Sequence, residues 1–198
     1  MITFPSVNAG SEMWTLEFNN QTHSSPLSNV EKEIELPGAR WRASLPFTHP
    51  TSDNARELTA FVTAMRGKTG RTKVVPYAAK TTRGTPSGSP TVNGGGQTGG
   101  TLVTQSWPIS TTVLRAGDYF EVNGELKMIT ADATTDAGGN VTLQFSPNLH
   151  ASPTTGAAIT YTNPGCTMKL ANPSQAAWEL SQRKIYVMTL ELVEAIGG

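Results

Sequence analysis

The sequence predicts a mainly β protein: a split β-barrel or sandwich with one α-helix, interrupted by an inserted small β-barrel or β-sandwich module. Three observations lead there. Apolar residues alternate with period two along Val30–Phe47 and again along Ile185–Ile196, the spacing of strands with one covered face. Only the stretch after Thr51 places apolar residues at helical spacing. Composition then shifts at residues 81–100, which hold seven Gly, two Pro, five Thr and two Ser with a single charge. Short strand-like runs separated by turn residues follow.

The elements follow in order. Met13–Phe18 (MWTLEF) is a short apolar-rich strand, and a polar stretch, Asn19–Ser25, comes after it. In Val30–Leu36, Val30, Lys32, Ile34 and Leu36 share one side, while Glu31, Glu33 and Glu35 share the other. This reads as a half-buried strand with a solvated acidic face. Pro37-Gly38 is a turn pair. Beyond it Trp41, Ala43, Leu45 and Phe47 face one way and Arg40, Arg42 and Ser44 the other, so the two runs are expected to form an antiparallel hairpin. The glutamates would then meet Arg40 and Arg42 across the exposed face, at about 0.2–1 kcal/mol per pair.

The helix is expected over residues 54–66. Asn54 and Glu57 have capping-box spacing, Leu58, Phe61, Val62 and Met65 form the apolar stripe, and Gly67 supplies the stop. Thr72–Tyr77 is a strand that Pro76 confines to an edge or an end. Residues 81–100 read as a Gly/Thr-rich linker. Leu102–Trp107 is a strand. Tyr119–Val122 and Glu125–Ala131 flank Asn123-Gly124, the dipeptide of a type I′ hairpin turn. Asp136–Gly139 turns into Asn140–Phe145, and Ala158–Tyr161 and Cys166–Leu170 complete a module over 101–170. Trp178–Leu180 and the long Ile185–Ile196 strand return to the first block. The domains are therefore 1–80 plus 171–198, with 101–170 inserted.

Composition excludes several function classes. Fifteen Lys+Arg balance fifteen Asp+Glu, so the basic excess that phosphate-backbone binding needs is missing. No apolar run approaches the roughly 20 residues of a membrane span. The N-terminus lacks the basic and apolar regions of a signal peptide. The single cysteine, Cys166, excludes an internal disulfide. Charged residues are only 15%, and 28 Thr and 15 Ser stand in their place.

The chemical motifs are weak. Gly67-Lys68-Thr69 resembles the end of a phosphate loop, but Val62 occupies the place of its first glycine. His23, His49 and His150 lie far apart, without metal-ligand spacing. Asp132 and Asp136 lack the bidentate Glu of a calcium loop, whose place Leu143 takes. Cys166 reads as a buried small hydrophobe, and the carboxylates form no acid/base pair. No catalytic, cofactor or metal residue is expected. Trp14, Trp41 and Trp178 read as core or subunit contacts. Trp107, ahead of Pro108, is the candidate exposed anchor for a partner.

Leu114–Val122 (LRAGDYFEV), Met128–Asp132 (MITAD), Asp136–Leu143 (DAGGNVTL), Ser146–Leu149 (SPNL) and Cys166–Leu170 (CTMKL) together resemble a module of tail and tail-tip proteins of tailed bacteriophages and prophages. The split outer domain with one helix and a returning last strand is similar to distal tail proteins and their tail-tube relatives. The resemblance covers most of the chain and is strongest over 112–170. It implies a non-enzymatic virion protein, made in the host cytoplasm, that forms a homo-oligomeric and usually sixfold ring between tail tube and tip or hub proteins. The outer domain would build the ring, and the module would project outward. Glu31, Glu33 and Glu35 are then expected to line the lumen, where carboxylates keep passing DNA from sticking. Two alternatives remain open. One is a binding module for a host glycan or a receptor-binding protein, using Trp107 or the 81–100 loop. The other is a different minor tail or tail-tube protein.

Overall fold

The computed structural model describes residues 1–48, 51–174, 179–180 and 186–197, with only the backbone at 179, 180 and 186. The chain is mainly β with one α-helix among the described residues. An outer unit opens with β1 (Met13–Ser24), β2 (Glu31–Thr48), α1 (Ser52–Ala64) and β3 (Thr72–Val74). A 3-10 turn at Tyr77–Lys80 leads into β4 (Thr91–Val92), β5 (Thr101–Gln105), β6 (Thr112–Leu114), β7 (Tyr119–Val122), β8 (Glu125–Ile129), β9 (Ala133–Thr134) and β10 (Val141–Ser146). The chain then returns through β11 (Cys166–Leu170), β12 (Glu179–Leu180) and β13 (Tyr186–Glu194).

The outer sheet has the order β1-β2-β13-β11-β3, with β12 alongside β13, and its strand pairs are antiparallel. The last strand pairs with the first block as expected, Val187 opposite Thr48 through Val193 opposite Arg42. The alternation in the second half of β2 buries Trp41, Ala43, Leu45 and Phe47, against Met168, Leu170, Leu190 and Leu192 of the neighbouring strands. α1 covers this face with Leu58, Phe61 and Val62, and its C-cap residue Met65 joins them, each worth about 1.5–3 kcal/mol of apolar burial. The helix starts two residues earlier than the sequence suggests, because Thr51 is the N-cap and its hydroxyl accepts the Asn54 N–H at 3.3 Å. At its other end Arg66 and Gly67 are both left-handed, with φ of 47° and 67°.

The expected hairpin at Pro37-Gly38 does not form. Both halves belong to one 18-residue strand, β2, and the partner of both is β1, which extends through the polar stretch to Ser24. The chain reverses instead at Ser25–Val30, where the Ser25 N–H donates to the Val30 carbonyl at 3.0 Å. Pro37-Gly38 lies opposite a register shift between Glu17 and Asn19. Gly38 takes φ +107°, a conformation that side chains resist, and the Asn19 amide donates to the Pro37 carbonyl at 2.9 Å. The dipeptide thus makes an irregularity inside a strand, not a reversal. The anticipated Glu–Arg pairs disappear with the hairpin. Arg42 pairs with Glu17, while Glu31, Glu33 and Glu35 sit opposite Ser24, Thr22 and Asn20.

The inserted module forms a sheet in the order β4-β5-β10-β8-β7, plus the ribbon β6-β9. Ala158 bridges Thr91 of β4 and Thr160 bridges Glu121 of β7, so one short segment meets both edge strands and closes a small barrel. Its core is Val92, Leu102, Trp107, Val113, Leu114, Phe120, Val122, Ile129, Ala133, Leu143, Phe145 and Ile159. The Asn123-Gly124 turn forms as expected, with φ of 52° and 77°.

Two boundaries move. Residues 81–100 are not a linker, because they contain β4 and build the barrel wall. Asn93 N–H donates to Val103, Phe145 N–H to Gly100, Leu149 N–H to Gly99 and Ile159 N–H to Pro90. Their glycines serve tight turns, with positive φ at Gly88, Gly94, Gly96 and Gly99. Cys166–Leu170 belongs to the outer sheet, where β11 lies between β13 and β3 and Cys166 faces Val74.

Candidate functional site

The outer sheet has unequal edges. The β3 edge is flanked by the N-terminal segment, where Ile2 bridges Thr72 and its N–H donates to the Arg71 carbonyl at 2.7 Å. β1 pairs with β2 on one side and with no other described strand, so its outer edge presents unpaired backbone groups along 12 residues. β2 pairs with β13 only from Arg42 onward. Among the described residues, Glu31–Leu36 therefore have β1 as their sole lateral partner and form a two-stranded arm about 20 Å long.

From Glu31 to Glu35 the arm is exposed on both faces. Asn20, Thr22 and Ser24 with Glu35, Glu33 and Glu31 make one face, and all six are exposed. The other face pairs Gln21 with Ile34 and His23 with Lys32. Val30 is 64% exposed, Ile34 40% and Leu27, in the reversal, 98%. The expected half-buried character of Val30–Leu36 survives only at Leu36, where Gly99 and Asn148–His150 of the module line a cleft with Glu35–Ala39; the rest of the run is exposed. The three glutamates stand in a row in solvent.

Trp107 is not an exposed anchor. It is 4% exposed, stacks near Tyr161 with centroids 5.8 Å apart, and its indole N–H donates to the Thr104 hydroxyl at 2.8 Å. An indole whose N–H finds a partner inside a small barrel is a core residue. Trp14 and Trp41 meet edge to face in the outer unit, centroids 6.4 Å apart. Trp178 and His49 lie outside the described residues.

The weak chemical motifs resolve into local structure. Arg71 of the Gly67–Thr72 loop donates to the carbonyls of Lys68, Thr69 and Gly70. Asp136 accepts the N–H groups of Gly138 and Asn140 at 2.8 Å each. Those bonds, the Asn140 N–H foremost, hold its carboxyl below the usual carboxylate range. Asp132 accepts the Ala116 N–H at 2.9 Å. Cys166 is buried, and burial, followed by the nearby Glu194 charge, pushes its thiol well up, so it stays protonated. Among the described residues no group of three or more His, Cys, Asp and Glu is placed to hold a metal ion, and no helix is long and apolar enough to cross a membrane.

A buried polar cluster that sequence reasoning missed joins the two units. The Lys127 side chain is fully buried and its ammonium contacts Glu125 at 2.8 Å and the Asn148 carbonyl at 2.9 Å. Glu125 also accepts the N–H groups of His150 and Ala151. His150 Nε2 stands 3.7 Å from Glu194, whose carboxylate accepts the Trp41 N–H. The Trp41 indole donates to the Leu126 carbonyl at 2.9 Å, and Leu126 itself enters the outer core. Lys73 reaches Glu121 at 2.6 Å. The one sequence signal is a lysine, Lys127, inside an apolar hairpin strand. No family model matches the chain, and no curated protein matches it.

Proposed function

We propose that the protein is a structural subunit of a bacteriophage tail tip, a distal tail protein whose copies close into a ring, sixfold as the resemblance implies, between the tail tube and the tip or hub proteins. In this reading it resides in the virion, performs no catalysis, and lets DNA pass without binding it specifically. The observation that carries it is the arm. A two-stranded ribbon with both faces in water is marginal by itself, and this one continues the open β1 edge. An unpaired edge continued by an exposed arm offers a surface to a neighbouring copy, and where that copy meets it with a different face the head-to-tail contact closes into a ring. Zero formal net charge removes long-range repulsion between copies. Glu31, Glu33 and Glu35 line the lumen of that ring, and the inserted module, whose edge strands β4 and β7 are bridged by one segment, projects away from it. The burial of Trp107 leaves the 81–100 segment as the remaining contact for a glycan-binding reading of the module.

Light scattering and negative-stain microscopy of the purified chain test the ring. The expected result is a particle several times the 21.1 kDa subunit mass, with an annular outline. A monomer at every soluble concentration, unchanged by added tail-tube protein, overturns the reading. The triple reversal of Glu31, Glu33 and Glu35 to Lys tests the lumen. Particle mass should survive it, and its loss would place these residues in a subunit contact instead.

A further inference from the structure

A second feature of the outer unit lies beside the start of β1. A cleft of about 740 Å³ opens between the N-terminal segment Asn8–Glu12 and the 3-10 turn at Tyr77–Lys80, with Trp14 among its lining residues. Its walls are fixed. The Gly10 N–H donates to the Pro46 carbonyl at 3.0 Å, which ties the N-terminal wall to β2. The Glu12 carboxylate joins both walls, because one oxygen accepts the Trp14 indole N–H at 3.2 Å and the Tyr77 backbone N–H at 2.9 Å. Trp14 is held from behind by Trp41. Tyr77 is 74% exposed, and the Lys80 ammonium lies 5.1 Å from its ring centroid.

We propose that this cleft binds a saccharide. The volume falls within the range of small-ligand sites, which combine apolar lining with a few placed polar groups. Two aromatic residues offer rigid apolar surface with electron-rich faces, suited to the polarised C–H side of a pyranose ring. Around them stand an acceptor (Glu12), a three-proton donor (Lys80) and two groups that do both (Asn8 and Ser11). That inventory suits a ring of hydroxyls. One carboxylate and one ammonium leave the lining neutral, which disfavours a phosphate ligand. Polar groups along both walls disfavour a lipid chain. The cleft takes Trp14 from the start of β1 and nothing from the arm, and its test reads saccharide binding where the ring test reads particle mass, so the two readings fail separately.

Calorimetric titration of the full chain with cello-, malto- and chito-oligosaccharides, each in turn, tests it, with tryptophan fluorescence as a second signal. The expected result is saturable binding of at least one series with Kd of about 0.1–10 mM. Tyr77→Ala should weaken it by at least about tenfold, as removal of an aromatic anchor does, and Tyr77→Phe should retain it. Circular dichroism checks that the exposed substitutions leave the fold intact. Three results overturn the proposal: no saturable signal with any series, binding that Tyr77→Ala leaves unchanged, or equal loss in Tyr77→Phe and Tyr77→Ala.

Discussion

Glu194 and Trp41 are 153 positions apart, and the buried carboxylate of the first accepts the backbone N–H of the second at 3.0 Å. Trp41 is the last residue of β2 before β13 takes up its pairing at Arg42. Glu194 therefore satisfies a backbone donor that the sheet leaves without a partner strand, at the point where the arm departs from the body. Glu194→Ala strands that donor and should destabilise the fold by about 1–3 kcal/mol. Glu194→Gln keeps an acceptor and should cost less. Urea denaturation of the two variants makes the comparison.

Lys127 is held between Glu125 and the Asn148 carbonyl with its side chain fully buried. Breaking a buried pair from one side costs about 3–5 kcal/mol, so Lys127→Met should lower stability by that order. Combining it with Glu125→Gln should recover part of the loss, because the remaining amide carbonyl still accepts the N–H groups of the 150–151 backbone. A double-mutant cycle in urea reads the coupling.

Asp136 gives a dependence on pH whose sign follows from its hydrogen bonds. The Asn140 N–H, then the Asn140 side chain, favour the ionised form and lower its pKa from the ordinary 3.8. A depressed carboxyl stabilises the fold fully above the ordinary value, and the benefit fades as pH falls through the native one. The stability gap between wild type and Asp136→Ala should therefore be constant from neutrality down to about pH 5 and narrow below pH 3.8. A gap that widens in acid would refute the assignment.

The arm should matter to assembly and not to the subunit. Val30→Asp with Ile34→Asp changes two side chains that stand in water. Monomer stability should stay within about 0.5 kcal/mol of wild type, while the oligomer is lost. Light scattering and thermal unfolding separate the two effects.

Wherever a second layer covers one face, the sequence pattern and the structure agree. Trp41, Ala43, Leu45 and Phe47 on β2, the stripe Leu58–Met65 and the Asn123-Gly124 turn all follow from local spacing. The pairing of the last strand with the first block was also readable, since so long a strand needs a partner. The failures share a cause. Pro37-Gly38 carries a turn signature, and only the length of β1 across the register shift shows that the strand runs on. Asn19–Ser24 holds no apolar residue at all, so no periodicity marks it as a strand. Residues 81–100 have the composition of a flexible chain, but their backbone donors and acceptors are taken up by strands distant in sequence. Lys127, Glu194 and His150 come together from three segments and leave no local pattern. Trp107 looked available because nothing nearby in the sequence shows the barrel that closes over it.

Val74 and Cys166, which bracket the inserted barrel, sit opposite each other on adjacent strands. The whole module is thus an oversized loop of one β-hairpin. Lengthening such a loop costs little, since closure entropy grows only with the logarithm of its length. The outer unit takes from the module ends that meet on adjacent strands, the Leu126 carbonyl and side chain beside Trp41, and ion-pair partners for Lys73 and Glu194. The scaffold is in that sense a socket: a module whose surface differs away from Glu121, Leu126 and His150 leaves the contacts that seat it unchanged.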